Sequence, residues 1–251
     1  MLLLPGGAAA VEGFFPGLAE GLIADPGCRV ILHERPGTGS STVDGSLARA
    51  TKDLHATLAE AGIGPVVVIG QSLGAAVAAL LARDFPGDVA GLVLIDPSPV
   101  NDVAMAKRLV QTMGTVERLH NLPVLGRVVR PLIGAVGVNK HVKRATRPDV
   151  RAAWEKMREI DVPQLGRAAR GLDVIAAGFR EADLPRMPAV VVTADRKAEA
   201  PMRQAHQRLA TALGAQLVSW PGADHNAQLT HPDEVLEVSR DVVRRVRAGL
   251  R

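Results

Sequence analysis

Residues 66–76 read Val66-Val67-Val68-Ile69-Gly70-Gln71-Ser72-Leu73-Gly74-Ala75-Ala76. The run Val66–Ile69 is wholly β-branched, which predicts a strand buried on both faces. The Ala-rich stretch that follows predicts a helix over Ala75–Asp84. A Gly-x-Ser-x-Gly pentapeptide joins the two. Alone the pentapeptide is weak, and a Gly-rich turn with a capping serine would satisfy it. Its strand–turn–helix setting is more demanding. Gly70, Gly74 and Ala75 are small enough to let strand and helix approach closely. Ser72 is then held on a sharp turn at the C-terminal edge of the strand. The helix N-terminus beneath it favours negative charge.

Outward from this turn, short β-rich runs alternate with helical patterns. Met1–Leu4, Arg29–Leu32, Gly91–Ile95, Ala189–Thr193 and Gln216–Trp220 read as further strands. Leu47–Ala61, Met202–Leu213 and Pro232–Ala248 read as helices. Gly214 is a stop signal for the second of these. The last opens with Asp233 and Glu234 and closes with Arg244, Arg245 and Arg247, in the order that complements a helix dipole. This alternation predicts an α/β fold with a mostly parallel sheet of about six strands and helices on both faces. The alternation breaks between Ile95 and Ala189, a span of about ninety residues where a crossover needs far fewer. Helical patterns at Val103–His120, Asp149–Ile160 and Gln164–Phe179 fill it, punctuated by Pro123, Pro131, Pro148 and Pro163. The chain is therefore divided into a core (residues 1–97 and 183–251) and a helical insertion (98–182).

The composition narrows the function classes. With 251 residues and 47% apolar content, the chain can bury a core without cross-links, and a single cysteine, Cys28, excludes an intrachain disulfide. Aromatic residues make up 2% and Tyr is absent, so mainly aliphatic side chains must line any substrate pocket. The net charge of +4 is carried mostly by Arg interleaved with Asp and Glu, the pattern of a solvated surface rather than a nucleic-acid footprint. Within the insertion, Lys140, Lys143, Arg144, Arg147 and Arg151 form a basic cluster. It reads as a solvated face, with an acidic substrate or carrier as the alternative. Met1–Leu4 is too short for a signal peptide and no stretch has the length of a membrane span. A cytoplasmic protein with no membrane and no nucleic-acid partner is expected. No Cys pair or His-x-x-x-His suggests a metal, and Gly37-Thr38-Gly39 lacks the Lys of a phosphate loop.

With these motifs in place, the chain resembles the α/β-hydrolase family over nearly its whole length outside the insertion. Leu2-Leu3-Leu4-Pro5-Gly6-Gly7 is similar to the family's first oxyanion loop, with Pro5 where His is usual. Glu34-Arg35-Pro36-Gly37-Thr38-Gly39-Ser40 is similar to its Asp-x-x-Gly-x-Gly-x-Ser loop and is read as a structural turn. The resemblance implies a helical lid for the insertion, a strand order 2-1-3-4-5-6 in this chain's numbering, and no leading antiparallel hairpin. It implies Ser72 as nucleophile, His225 in the loop after the last strand as base, and the amides of Gly7 and Leu73 as the oxyanion hole. His231 is expected to order a helix start. His33, His55, His120, His141 and His206 are expected to be structural or solvated.

The acid that orients the base is not where the family most often keeps it, because Thr193-Ala194-Asp195-Arg196-Lys197 puts Lys197 there. Asp96, in Ile95-Asp96-Pro97, resembles the Asp-Pro acid of some lipases and is the first choice. Asp195 is the alternative, with Glu199 or no acid behind it. The resemblance then implies hydrolysis of an ester or thioester of a small to medium apolar molecule, without cofactor. A lyase, cyclase or C–C hydrolase using Ser72 and His225 as acid–base groups is the alternative, followed by a ligand-binding protein. Ser72 in place of Asp disfavours epoxide hydrolase and haloalkane dehalogenase chemistry.

Overall fold

The computed structural model describes residues 1–120, 138–159 and 161–249. Six strands form one sheet: β1 (Leu2–Leu4), β2 (Ile31–Leu32), β3 (Val66–Gln71), β4 (Val89–Ile95), β5 (Ala189–Val192) and β6 (Gln216–Val218). Every pair is parallel and the order is β2-β1-β3-β4-β5-β6. The expected strand order and class are both observed. Helices α1 (Leu18–Ala24), α2 (Ala50–Glu60), α3 (Leu73–Asp84) and α4 (Val103–His120) precede residue 121. Helices α5 (Val138–Arg144), α6 (Pro148–Lys156), α7 (Val162–Ala169) and α8 (Leu172–Gly178) complete the segment before β5. Helices α9 (Pro201–Leu213), α10 (Ala227–Thr230) and α11 (Pro232–Gly249) follow it.

Strand alternation builds the core in two layers. Leu2, Leu4, Val68, Leu92, Leu94, Ala189 and Val191 pack with Leu54 and Leu58 of α2, the Ala-rich α3 and Leu209 of α9. Leu3, Ile69, Val93, Ile95, Val190 and Val192 point the other way, onto Leu18 and Leu22 of α1 and Val235, Val242 and Val243 of α11. Both faces are covered, which is why the central strands read as continuous apolar runs. The short β2 departs from expectation: it pairs only with β1, and Arg29 and Val30 fall outside it.

Two helical expectations need correction. Gln164–Phe179 is two helices, because Arg170 leaves the helical conformation and Gly171 takes φ +83° to start α8. Asp149–Ile160 is α6 followed by a 3₁₀ turn at Met157–Glu159, with Pro148 at the first helical turn as its missing N–H allows. Pro123, Pro131 and Ile160 lie outside the described residues.

The excess of Arg on α11 has a local use. Arg240 and Arg247 donate to the carbonyls of Gly21, Asp25 and Pro26, and Arg244 pairs with Asp25, so α11 clamps the turn after α1. In the basic cluster, Arg147 pairs with Asp149 and Asp233, while Lys140, Lys143 and Arg144 are exposed. No helix among the described residues is long and apolar enough to cross a membrane.

Candidate active site

The register of the sheet brings the candidate residues together. Gln71 of β3 pairs with Ile95 of β4, and Ile95 pairs with Val192 of β5. Ser72, Asp96 and Thr193 therefore leave three neighbouring strands at one level, on the C-terminal edge where open α/β sheets place their ligands. Ser72 adopts φ +51°, ψ −115° and is the residue before α3. Its amide donates to the Ile95 carbonyl (2.9 Å), and its own carbonyl accepts from Ser98 (2.9 Å) and Ala76 (3.1 Å). A side chain at Gly74 would press to 2.3 Å from the Leu4 carbonyl, and one at Gly70 to 2.5 Å from that of Gly74. These glycines are what allow β1, β3 and α3 to converge under the strained serine.

Asp96 is the second strained residue, at φ +42°, and it is 1% exposed. Its carboxylate accepts from His225 Nδ1 at Oδ2 (2.6 Å) and from the Ala194 amide at Oδ1 (2.9 Å). Arg196 adds a fork, Nη1 to Oδ1 at 2.5 Å and Nη2 to Oδ2 at 2.7 Å. Burial works to raise the pKa of Asp96, but the hydrogen bonds from Arg196 and His225 overcome it and hold the carboxyl far below the usual range. Asp195, the alternative acid, is exposed and accepts from the Gly222 amide (2.9 Å), bracing the loop that carries His225 rather than touching its ring. Glu199 and Lys197 are exposed.

The His225 loop is tied to the serine turn by Gln71, whose Nε2 donates to the His225 carbonyl (2.7 Å). The same buried side chain lies against Gly6, where a Cβ would come within 1.9 Å of Gln71 Oε1. Gly7 has φ +55°, and its carbonyl accepts from the buried Arg35 (2.6 Å). Burial lowers the Arg35 pKa to about 10, which leaves it charged at neutral pH. Leu73 is the first residue of α3, and a first-turn amide has no acceptor within its own helix. In the turn at residues 34–40, Glu34 accepts from the amides of Val11 and Ser40 and from the Ser40 hydroxyl.

Three participants escape a sequence reading. Ser98 Oγ lies 3.3 Å from Ser72 Oγ, carried there by the same loop as Asp96. Arg196 meets Asp96 across 100 residues of chain. His206 is fully buried behind the acid, with Nε2 2.9 Å from the Pro97 carbonyl and Nδ1 2.9 Å from Thr193 Oγ1. A carbonyl only accepts, so Nε2 carries a proton, and in the neutral ring Nδ1 then accepts from Thr193 Oγ1. Burial lowers the His206 pKa, in keeping with a neutral ring. The spacing Asp-Pro-Ser was the one local hint of Ser98; the other two had none. His55 pairs with Asp88 (2.7 Å), His141 lies 3.4 Å from Asp224, and His231 precedes α11, its carbonyl accepting from Val235.

From α7, Leu165 reaches the Gly6-Gly7 loop: a Cβ on Gly7 would lie 2.7 Å from Leu165 Cδ1. A cavity of about 410 Å³ opens beside that loop, among Ala8, Phe14, Gly39, Lys156 and Gln164; Ser72 and His225 do not line it.

A buried carboxylate on a histidine, on the same sheet edge as a serine at a strained strand–helix turn, is an arrangement able to activate a hydroxyl for acyl transfer. Parts of the chain are similar to known proteins. The sn-1-specific diacylglycerol lipase ABHD11 of Mus musculus is 35% identical over 88 residues, covering 34% of this chain and 29% of the relative. Lipase LipV of Mycobacterium tuberculosis is 47% identical over 60 residues, 24% of this chain and 23% of LipV. The matched stretches thus span less than a third of each of these two relatives. A thermophilic esterase from Thermogutta terrifontis, solved with malate bound, superposes with a TM-score of 0.72 at 25% identity over 98% of this chain and 89% of that one. The profile of the alpha/beta hydrolase family matches residues 1–238, and the chain belongs to that family.

Proposed function

We propose that this protein is a serine hydrolase that cleaves an ester or thioester of a small to medium, mostly apolar substrate through an acyl-enzyme. The observation that carries the reading is the His225 Nδ1–Asp96 Oδ2 contact of 2.6 Å on the same sheet edge as Ser72 at φ +51°. Ser72 Oγ attacks the acyl carbon while His225 Nε2 takes its proton. The amides of Gly7 and Leu73 receive the oxyanion. The proton passes from His225 to the leaving alcohol or thiol, and water repeats the sequence on the acyl-enzyme with His225 again as base. Asp96 holds the imidazole in the tautomer this requires and offsets the imidazolium charge. Ser98 accepts or donates a hydrogen bond at Ser72 Oγ and steadies it between turnovers. Residues 98–182 serve as a lid, with Leu165 over Gly7 limiting what enters. The lipase and esterase relatives support this chemistry class.

The test is turnover of nitrophenyl acetate, butyrate and octanoate and of a matching acyl thioester. Hydrolysis with an initial burst of nitrophenol, absent in Ser72→Ala, is expected. A folded protein that hydrolyses none of them would refute the acyl-enzyme reading and favour acid–base chemistry at the same residues.

A further inference from the structure

We propose that Arg196 is a positioning residue, holding Asp96 ionised and turned toward His225. The inference rests on the reading of Asp96 and His225 as acid and base. Each carboxylate oxygen of Asp96 is shared between Arg196 and one other donor: Oδ2 with His225 Nδ1, Oδ1 with the Ala194 amide. The plane of the carboxylate is thereby set by the guanidinium fork, whose two parallel bonds fix orientation as a single ammonium would not. Arg196 is itself held. Its Nη1 also reaches Thr193 Oγ1 (3.2 Å), its carbonyl accepts from Arg203 (3.0 Å), and its side chain is only 26% exposed.

The clamp answers a problem of burial. Asp96 is almost wholly out of water, and a buried carboxyl favours its neutral form unless cations and hydrogen bonds oppose this. A neutral Asp96 could neither fix the His225 tautomer nor offset an imidazolium. The other charged groups nearby do not supply the need. His206 of α9 stands 3.7 Å from Asp96 Oδ1, but burial favours its neutral form. Arg203 is engaged with the Arg196 carbonyl, Asp195 with the Gly222 amide, and Asp224, beside His225, faces His141 of α5. The same cation also draws the carboxylate's charge away from the imidazole. Arg196 therefore lowers the affinity for a proton at the Asp96 end of the Asp96–His225 hydrogen bond.

The experiment compares the native protein with Arg196→Gln and Arg196→Met on two readouts. The first is the pH at which the downfield His225 Nδ1–H resonance changes, read by NMR without substrate. The second is the acid limb of kcat/KM on nitrophenyl butyrate. Both variants are expected to move both midpoints upward, to a proton concentration about tenfold lower. Arg196→Lys keeps the charge but not the fork, so both midpoints are expected to stay within about threefold of native while kcat falls. A folded variant of either kind whose resonance titrates as in the native protein would overturn the proposal, and so would a lysine variant that behaves like glutamine. A shifted resonance in a protein that turns over no ester would uphold the clamp and count against the hydrolytic reading instead.

Discussion

Replacing Asp96 by Asn separates the two candidate acids and has a size that follows from the structure. The carboxylate accepts four N–H groups: two from Arg196, one from Ala194 and one from His225. An Asn side chain keeps one oxygen and turns an NH₂ toward groups that are already donors. About two charge-assisted bonds are lost, each contributing about 1.5–3 kcal/mol. Arg196, 26% exposed, recovers part of this by turning to water. The net loss is about 2–4 kcal/mol, a fall in Tm of roughly 5–15 °C for a chain of this size. Turnover falls further, by about 10³–10⁴, as expected when the imidazole loses its tautomer and its counter-charge. Asp195→Asn is the matched control: its partner is one exposed amide, so it costs less than about 1 kcal/mol and changes kcat only a few-fold. The assays are thermal melting by circular dichroism and nitrophenyl butyrate hydrolysis. A folded Asp195→Asn protein without turnover, beside an active Asp96→Asn protein, would refute the assignment.

Two further outcomes follow from strain and burial. Ser72→Gly relieves a backbone strain of about 1–3 kcal/mol and loses about 0.4–1 kcal/mol to greater unfolded freedom, whereas Ser72→Ala relieves nothing. The Gly variant should therefore melt about 2–6 °C above the Ala variant, both inactive, and equal or reversed melting would contradict a strained turn. Buried His206, its pKa lowered by desolvation, leaves its proton to the unfolded chain; stability falls as pH drops below about 6.5, by at most about 1.4 kcal/mol per pH unit. Asp96 adds no slope there, since a depressed carboxyl is ionised in both states until pH falls below about 4. Urea midpoints at pH 7.5 and 5.5 should drop less in His206→Gln than in the native protein, and an equal drop would remove His206 from the account.

What could be read from the chain divides along physical lines. The central strands were legible because two covered faces demand unbroken apolar runs, and Val66–Ile69 or Leu92–Ile95 can be little else. Ser72 and His225 could be singled out as candidates because the proposed roles need local chain geometry, a tight strand–helix turn and a loop after the last strand. Helix α1 was not, since seven residues with only Leu18 and Leu22 buried carry too little periodicity. The break at Gly171 hid within an otherwise continuous apolar pattern. Asp96 was chosen on its resemblance to the Asp-Pro acid of some lipases, and its side chain meets that of His225. Its surroundings were beyond reach: Arg196, His206 and Gln71 act through contacts 100 or more residues apart along the chain, fixed by sheet register and not by spacing.

The central claim is that Ser72 is an activated nucleophile. Intact-protein mass spectrometry after exposure to a fluorophosphonate probe tests it most directly, with peptide mapping of the adduct. The account predicts one adduct, on Ser72, abolished by Ser72→Ala and strongly slowed in His225→Ala. An unlabelled native protein that melts cooperatively, or an adduct on another residue, would contradict it.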